Sequence, residues 1–238
     1  MNKIVAIHQP HYFPWLGYLD KMAKADEFVI LDEVQLTDRS PMVRNKFLQI
    51  DGTAKYLTVS VAKKGYREKK TNEIELTNWN EVRIKHQRFL ELNYGKTPFY
   101  KEIMPLVSSI FESDFQYLFD LEMVTIEAMR EIYGIETPLI LQSTLDYDRN
   151  AKNSDLMLNL CKVLGANVYL SGNGARKYMV DERFLECGIE VHYQRFDSPS
   201  YAQYRQEEFV SGLSALDLAF QCGIEGARKV FWSNMQHE

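Results

Sequence analysis

Histidine and tyrosine side chains are concentrated in one short segment near the start of the chain, HQPHYFPWLGYLDK at residues 8–21. Histidine is the natural general base near neutral pH, and a tyrosine hydroxyl or a backbone N–H group can stabilise an oxyanion. We therefore predict that this segment supplies catalytic groups. The predicted catalytic residues are His8, His11, Tyr12 and Tyr18. The alternative is that the aromatic rings are core packing and the histidines satisfy buried carbonyls.

The same segment also offers groups that would contact a substrate. Its two prolines stiffen the turn, because each fixes φ and restricts the preceding residue. Gly17, at the start of a predicted helix, would let the backbone approach an anion closely. The predicted substrate-contacting residues here are Gln9, Trp15 and Gly17.

A second segment, DEVQLTDRSPMVRNK at residues 32–46, carries groups suited to a nucleotide. Arginine and lysine pair with phosphate, the arginine in bidentate fashion. Asp32 could hold a ribose hydroxyl, a Mg²⁺ ion or a substrate amine. The predicted binding residues are Asp32, Gln35, Arg44, Asn45 and Lys46. A solvated charged loop is the alternative reading of this segment.

Two further segments resemble binding loops. SGNGARKY at 171–178 is glycine-rich and follows an apolar run, so its N–H groups could cradle phosphate, although it has neither P-loop nor dinucleotide-binding spacing. A plain strand-to-helix turn is the alternative. SPSYAQYRQEEF at 198–209 could recognise a sugar or nucleoside, or could equally be surface. The predicted residues are Ser171, Gly172, Asn173, Tyr178, Tyr201 and Gln203.

Alternating apolar runs and helical patterns predict the elements that position these segments. Strand-like runs are KIVAIH, EFVILDE, TPLILQS, ANVYLSG and IEVHYQRF. They predict an α/β fold with an open, mostly parallel, doubly wound sheet of about five strands. A β-hairpin is predicted around DGTA within 47–62, and residues 79–134 are predicted to be helical. We expect residues 1–78 and 135–238 to form the α/β core, with 79–134 as a helical insertion or subdomain.

Ligands of open parallel sheets bind beyond the carboxyl ends of the strands. The segments that begin at His8, Asp32 and Ser171 each follow a predicted strand. We therefore expect them to converge at one edge of the sheet and to enclose a small phosphorylated ligand.

Composition narrows the class of protein. Of the 238 residues, 45% are hydrophobic and 26% are charged, which is the balance of a globular protein with a sizeable core. The net charge of −5, with dispersed basic residues, argues against nucleic acid as a partner. Three widely separated cysteines have no metal-ligand spacing, and we expect no metal site. Short apolar runs predict a cytoplasmic protein without membrane insertion.

The chain resembles the WbqC-like protein family. The motifs that carry the resemblance run from residue 4 to about 223: HQPHYFPWLGYLDK, RNKFLQIDGTAKYLTVSV, DLMLNLCKVLGANVYLSGNGARKYM, SPSYAQ and LSALDLAFQCG. This chain departs from the family pattern at Tyr56, where a tryptophan is expected, and at Ser198, where a histidine often precedes the proline. The resemblance implies a bacterial protein of O-antigen or other surface-polysaccharide biosynthesis, which modifies an amino sugar with an amino acid or another acyl group.

A more distant similarity is to the nucleotidylyltransferase-like superfamily that includes pantothenate synthetase. There an HxGH turn follows the first strand, and its histidines stabilise a transferring nucleotidyl phosphate. The corresponding tetrad here is Trp15-Leu16-Gly17-Tyr18, so both histidines are replaced. The motif therefore does not imply adenylate formation, and His8 or His11 as substitutes is a hypothesis.

These observations lead to one expected function and two alternatives. We expect an acyl or aminoacyl transferase, or an amide-forming ligase, that acts on the amine of a nucleotide-linked amino sugar. The sequence does not identify the activating cofactor, for which ATP, an acyl thioester and a carrier are all open, and a homo-oligomer is compatible with the sequence. The alternatives are a non-catalytic nucleotide-sugar binding or partner protein of the same pathway, and a nucleotidylyltransferase.

Overall fold

A computed structural model of the chain describes residues 2–37 and 40–235. Asp38 and Arg39, within the second polar segment, lie outside the described residues. The chain divides into two compact units. Unit 1 comprises Met1–Gln9, Asp20–Glu33 and Ile135–Phe196, and unit 2 comprises Pro10–Leu19, Val34–Gly134 and Asp197–Glu238.

Unit 1 contains a five-stranded, all-parallel sheet. The strands are β1 (Ile4–His8), β2 (Glu27–Ile30), β5 (Leu139–Leu141), β6 (Val168–Ser171) and β7 (Glu190–Tyr193). Their order across the sheet is β5-β2-β1-β6-β7. The three central strands are almost continuously apolar, as buried parallel strands are, whereas the edge strand β7 alternates between exposed and half-buried residues. The predicted α/β fold class is confirmed.

The strand order reverses direction between β1 and β6. The chain proceeds outward from β1 through β2 to β5, and then returns to the other side of β1 with β6 and β7. In parallel register, Ala6 is opposite Leu170, and His8 is opposite Ile30. His8 and Ser171 therefore end adjacent strands at the point where the loops of the two halves of the sheet diverge, which is where such sheets bind ligands.

The connecting helices also follow from the sequence. They are α1 (Leu16–Ala23), α5 (Ser154–Val163) and α6 (Asp181–Glu186), and a short 3-10 helix covers Asn173–Lys177. Helix α5 buries an apolar stripe that includes Leu156, Leu160 and Cys161. It stops before Gly165, which adopts a positive φ of 63° that glycine tolerates at no steric cost.

Unit 2 combines a hairpin with the remaining helices. The hairpin strands are β3 (Arg44–Leu48) and β4 (Ala54–Thr58), and the helices are α2 (Trp79–Tyr94), α3 (Tyr100–Glu112), α4 (Leu118–Tyr133) and α7 (Ala215–Met235). Contacts of α7 with α3 and α4 bury a core of aromatic and aliphatic side chains. Helix α7 is kinked at Gly223, whose φ of 71° is not helical.

Two local predictions need correction. The sequence suggested that Arg44, Asn45 and Lys46 belong to a loop, but they form the first part of β3, because alternating half-buried and buried residues suit a hairpin strand. A helix start in this region also predicts Asn78 as a capping residue, and Asn78 does precede α2. However, its side chain makes no capping hydrogen bond, and its backbone is left-handed with a φ of 54°.

Candidate functional site

A cavity of about 290 Å³ lies at the switch point of unit 1, between the carboxyl ends of β1 and β6. Its apolar lining residues are Ile7, Leu31, Met157 and Tyr169, and its polar groups come from two of the segments that the sequence singled out. The polar and loop residues are His8, Gln9, Lys21, Ser171, Gly172, Gly174 and Tyr178. A mostly apolar cavity with a few polar groups is the usual form of a small-molecule site.

His8 is the last residue of β1, where it lies opposite Ile30 of β2. Its Nδ1 lies 3.1 Å from the carbonyl oxygen of Gln9. Because a carbonyl oxygen only accepts hydrogen bonds, Nδ1 carries the proton in the neutral ring. The proton-accepting nitrogen is then Nε2, as a general base on the cavity wall requires.

Lys21, on the last turn of α1, is a charged cavity residue that the sequence prediction missed. Its side chain is only 2% exposed, and its Nζ donates a hydrogen bond of 2.7 Å to the carbonyl oxygen of Ile7. Burial lowers the pKa of the Lys21 ammonium group to about 7, although the nearby Cys161 thiol opposes the shift. A substantial fraction of this amine is therefore uncharged at neutral pH.

The loop 171–178 closes the other side of the cavity. Gly172 and Gly174 line it, and a methyl group added at either position would meet no protein atom within 4 Å. A ligand can therefore approach the backbone at these two positions. Asn173 is exposed, and its side chain donates a hydrogen bond of 2.7 Å to the carbonyl oxygen of Gln194, which fixes the loop to the end of β7.

Asp32 follows β2 but does not line this cavity. Its carboxylate accepts a hydrogen bond of 2.9 Å from the backbone N–H of Ser143, beyond the end of β5. The adjacent Glu33 accepts hydrogen bonds from Tyr147, at 3.1 Å, and from Arg149. These contacts give the two carboxylates a structural role in connecting neighbouring strand ends, while ligand binding by Asp32 stays a prediction.

In unit 2, residues 10–19 form a turn that is fixed by hydrogen bonds on both sides. Phe13 has a φ of 41°, which is unusual for an aromatic residue. Its N–H donates to Thr125 Oγ1 at 3.1 Å, and its carbonyl accepts from the Asn45 side chain at 2.6 Å. Asn45 is thus buried and holds the turn, and the crowding of aromatic residues here has a structural explanation.

Tyr12 is completely buried, and its hydroxyl is hydrogen-bonded at 2.9 Å to His86 Nδ1. Burial raises the pKa of the Tyr12 hydroxyl and lowers the pKa of His86 to about 4, so both groups are neutral at physiological pH. His86 is buried within α2 and therefore has a packing role. The oxyanion role of Tyr12 stays a prediction without support from this geometry.

His11 and Tyr18 are also buried in unit 2, with ring centroids 4.7 Å apart. Burial raises the pKa of the Tyr18 hydroxyl, and the neighbouring Glu122 carboxyl raises it further. Glu122 is itself fully buried, which raises its pKa well above the usual range and favours the neutral acid. Neither His11 nor Tyr18 lines the cavity of unit 1.

Arg44 and Lys46 line a separate depression of about 270 Å³ within unit 2. They lie on the same face of β3, and their charged groups are 4.1 Å and 5.6 Å from the centre of the Tyr56 ring. Tyr56 is 44% exposed, so part of its ring remains accessible to a ligand. Two cations beside an aromatic face suit a phosphate attached to a planar or sugar ring.

Trp15 also lines this depression, and its position explains why residue 17 is a glycine. A side chain at position 17 would overlap the indole ring of Trp15, so glycine is required there by packing. Close approach of a ligand to Gly17 stays a prediction. Gln35 is exposed and pairs in an isolated backbone bridge with Lys70.

Tyr201 and Gln203 are engaged with a buried carboxylate of unit 2. The Tyr201 hydroxyl donates to Asp217 at 2.7 Å, and the Gln203 amide donates to the same oxygen at 3.0 Å. Burial raises the pKa of Asp217, while these hydrogen bonds counteract the rise. The two side chains therefore attach the segment after Asp197 to α7, and recognition of a sugar by them is not supported by their contacts.

The structure thus groups the predicted site residues within each unit. His8, Gln9, Ser171, Gly172 and Tyr178 share the cavity of unit 1. Trp15, Arg44, Asn45 and Lys46 share the depression of unit 2. Among the described residues, no group of three or more histidine, cysteine or acidic side chains is arranged to hold a metal ion. None of the described helices has the length and apolar character needed to span a bilayer.

The fold and the switch-point cavity define an α/β protein of the open parallel-sheet class. The chain belongs to the WbqC-like protein family, whose sequence pattern it matches over residues 9–229. It is also 35% identical over 228 residues to a Mycobacterium tuberculosis protein (strain ATCC 25618 / H37Rv) named "Uncharacterized protein Rv1507c", covering 94% of this chain and 95% of that protein. No solved structure matches the chain.

Proposed function

We propose that the protein forms an amide on the amine of a nucleotide-linked amino sugar, with an activated amino acid or other small acid as acyl donor, in bacterial surface-polysaccharide biosynthesis. The observation that carries the proposal is the cavity of unit 1, where His8 and the glycine-rich loop lie at the switch point of the sheet. Membership of the WbqC-like family supports the pathway. The apolar runs in the sequence, all too short to insert in a membrane, support a cytoplasmic location.

The cavity provides the groups that amide formation needs. In the proposed reaction, Nε2 of His8 removes a proton from the sugar ammonium, and the resulting amine attacks the acyl carbonyl. The new C–N bond forms as the carbonyl becomes an oxyanion. When the oxyanion collapses, the leaving group departs with the electron pair of its bond to carbon, and the nitrogen loses its extra proton to that group or to solvent. Gly172 and Gly174 line the cavity, and in the proposed reaction backbone N–H groups of this loop stabilise the oxyanion. Alignment of the two substrates would supply much of the rate.

The cationic depression of unit 2 supports a nucleotide-linked substrate. Arg44 and Lys46 beside the exposed Tyr56 ring offer charge for a diphosphate and an aromatic face for a sugar or base. We propose this depression as a diphosphate-binding surface in its own right. Replacement of both cations by glutamine should then weaken binding of a nucleotide diphosphate sugar at least tenfold.

The direct test is product formation. The protein is incubated with UDP-linked amino sugars, in one arm with ATP and amino acids and in another with acyl thioesters, and the sugars are analysed by mass spectrometry. His8→Ala should lower the rate of amide formation by about 100-fold or more, because a general base contributes that much. His192→Ala is the matched control, since His192 is an exposed residue of β7 paired with Glu190 and should leave the rate unchanged.

The remaining outcomes distinguish the alternatives. Binding of the nucleotide sugar without any product in either arm would replace the proposal with a non-catalytic binder. Release of pyrophosphate from ATP with no amide would favour a nucleotidylyltransferase. Full activity of a correctly folded His8→Ala variant, verified by circular dichroism, would remove the proposed role of His8.

A further inference from the structure

Lys21 combines three features that are unusual for a lysine. Its side chain is buried, its Nζ is fixed by a 2.7 Å hydrogen bond to the Ile7 carbonyl, and it forms part of the wall of the switch-point cavity. Lysine normally extends its charged end into water, so a buried one without a carboxylate partner has a cost in stability. The Nζ of Lys21 donates its hydrogen bond to a neutral carbonyl oxygen.

We propose that Lys21 is a nucleophilic amine that captures small aldehydes or ketones in this cavity as a protonated imine. This inference is independent of the proposed amide formation, because it concerns a covalent site and a carbonyl ligand that the amide reaction does not use. A lysine in an apolar pocket is the usual amine for this chemistry.

The geometry suits both the free amine and the adduct. A neutral amine has two N–H groups and one lone pair, and the Ile7 carbonyl occupies one N–H group. The lone pair attacks the carbonyl carbon of the ligand, a C–N bond forms, and the ligand oxygen leaves as water after taking up both amine protons. With one further proton from solvent, the product is an iminium ion with a single N–H group. That N–H group can retain the hydrogen bond to Ile7.

The cavity limits the size and polarity of the carbonyl compound. About 290 Å³ accommodates a small molecule rather than a polymer, and the Ile7, Leu31 and Met157 side chains favour a compact carbon skeleton. His8 and Ser171 add polar contacts on the cavity wall. We therefore expect capture of short aldehydes and 2-oxo acids.

The protonation state supports this assignment. Burial lowers the Lys21 pKa to about 7, so roughly half of the amine is uncharged at about pH 7, whereas an ordinary exposed lysine is almost fully protonated there. The neighbouring Cys161 is no competing nucleophile, because burial raises the pKa of its thiol to about 12.

The experiment uses the full-length protein, glyoxylate as probe and sodium cyanoborohydride to trap the imine, followed by peptide mapping by mass spectrometry. At about pH 7, Lys21 should be modified at least about tenfold faster than the exposed Lys85, which serves as the internal reference. Lowering the pH to about 5.5 should slow Lys21 modification by roughly tenfold, because protonation removes the lone pair. Modification of Lys21 no faster than that of Lys85 would overturn the proposal.

Two variants test whether the reaction takes place in the cavity. Gly174→Ala adds a methyl group to a residue that lines the cavity, and it should slow glyoxylate capture at Lys21 but not at Lys85. Lys24→Met, on the adjoining turn of the same segment, removes a lysine that is paired with Asp20 and should leave capture at Lys21 unchanged. Equal rates in wild type and Gly174→Ala would place the reaction outside the cavity and contradict the assignment. Since the assay needs no turnover, it succeeds or fails independently of amide formation.

Discussion

Two sets of buried polar groups, one in each unit, are satisfied in different ways. In unit 2, Tyr12 bonds His86, and Tyr201 and Gln203 bond Asp217, so each polar group satisfies another polar group. In unit 1, the buried Lys21 bonds a backbone carbonyl and faces a cavity. We infer from this difference that the Tyr12 and Asp217 clusters stabilise the fold, whereas Lys21 is available for chemistry.

Polar and aromatic residues close together in sequence are therefore a poor guide to a reactive site by themselves. The segment 8–21 contributes His8, Gln9 and Lys21 to unit 1, whereas its middle part is held in unit 2 by Asn45 and Thr125. Mutations should separate these roles: replacements in unit 2 should cost stability, whereas replacements in unit 1 should cost little or even stabilise.

The largest expected loss of stability follows Asp217→Ala in unit 2. The Tyr201 and Gln203 donors would lose their buried acceptor, and the free energy of unfolding should fall by about 3 kcal/mol. Urea denaturation followed by circular dichroism measures the change. Asp217→Asn keeps an acceptor oxygen and should lose less than half as much; a loss below about 0.5 kcal/mol for the alanine variant would break the comparison.

Lys21→Met in unit 1 should raise the free energy of unfolding, by an amount that depends on pH. Because the folded-state pKa of Lys21 is lowered to about 7, the unfolded chain binds the extra proton between that value and the ordinary lysine pKa, and wild-type stability rises with pH across this window. The stability advantage of Lys21→Met should therefore shrink by about 2 kcal/mol between about pH 7 and about pH 9. Denaturation of both proteins at several pH values measures it, and a constant difference would contradict the lowered pKa.

Tyr12→Phe in unit 2 should have a smaller effect. It removes the hydrogen bond to His86 and leaves the imidazole without that partner, which should lower the free energy of unfolding by about 1 kcal/mol. Tyr178→Phe is the counterpart in unit 1: Tyr178 is 53% exposed, so its loss should be within experimental error. Equal losses of unfolding free energy for Tyr12→Phe and Tyr178→Phe would contradict the expected difference between the two units.

Gly174→Ala should have the smallest effect on stability. An added methyl group meets no protein atom within 4 Å, so the free energy of unfolding should change by less than about 0.5 kcal/mol. Thermal unfolding of the variant and wild type provides the comparison. A larger loss would mean that loop 171–178 is packed more tightly than its open surroundings indicate.

The fold could be predicted from the sequence because its signals are local. Short β-branched and apolar runs such as those of β1, β2 and β6 indicate buried parallel strands, and His8 and Ser171 could be assigned to strand ends from the same runs. Residues of the segments that begin at His8 and Ser171 do line one cavity, while ligand binding there stays a prediction.

The rest of the candidate site depends on contacts between distant residues. Lys21 lies at the end of a helix, where lysine is usually solvated, and nothing local reveals that it is buried against Ile7. Likewise, the composition around Tyr201 suits a sugar as well as it suits Asp217, and only the three-dimensional contact distinguishes them. Asn45 was predicted from the sequence as a binding residue, but its hydrogen bond to the Phe13 carbonyl could not be predicted.

The hydrogen bond from Lys21 to the Ile7 carbonyl connects two positions of one continuous strand–turn–helix segment. Consequently, the angular phase of α1 sets the direction of the amine. One residue inserted between Leu16 and Lys21 would rotate the amine by about 100° around the helix axis and turn it away from the cavity. Natural relatives of different length should therefore carry their insertions elsewhere, and an engineered cavity with a new amine would be made most simply by exchanging this stretch as a single piece.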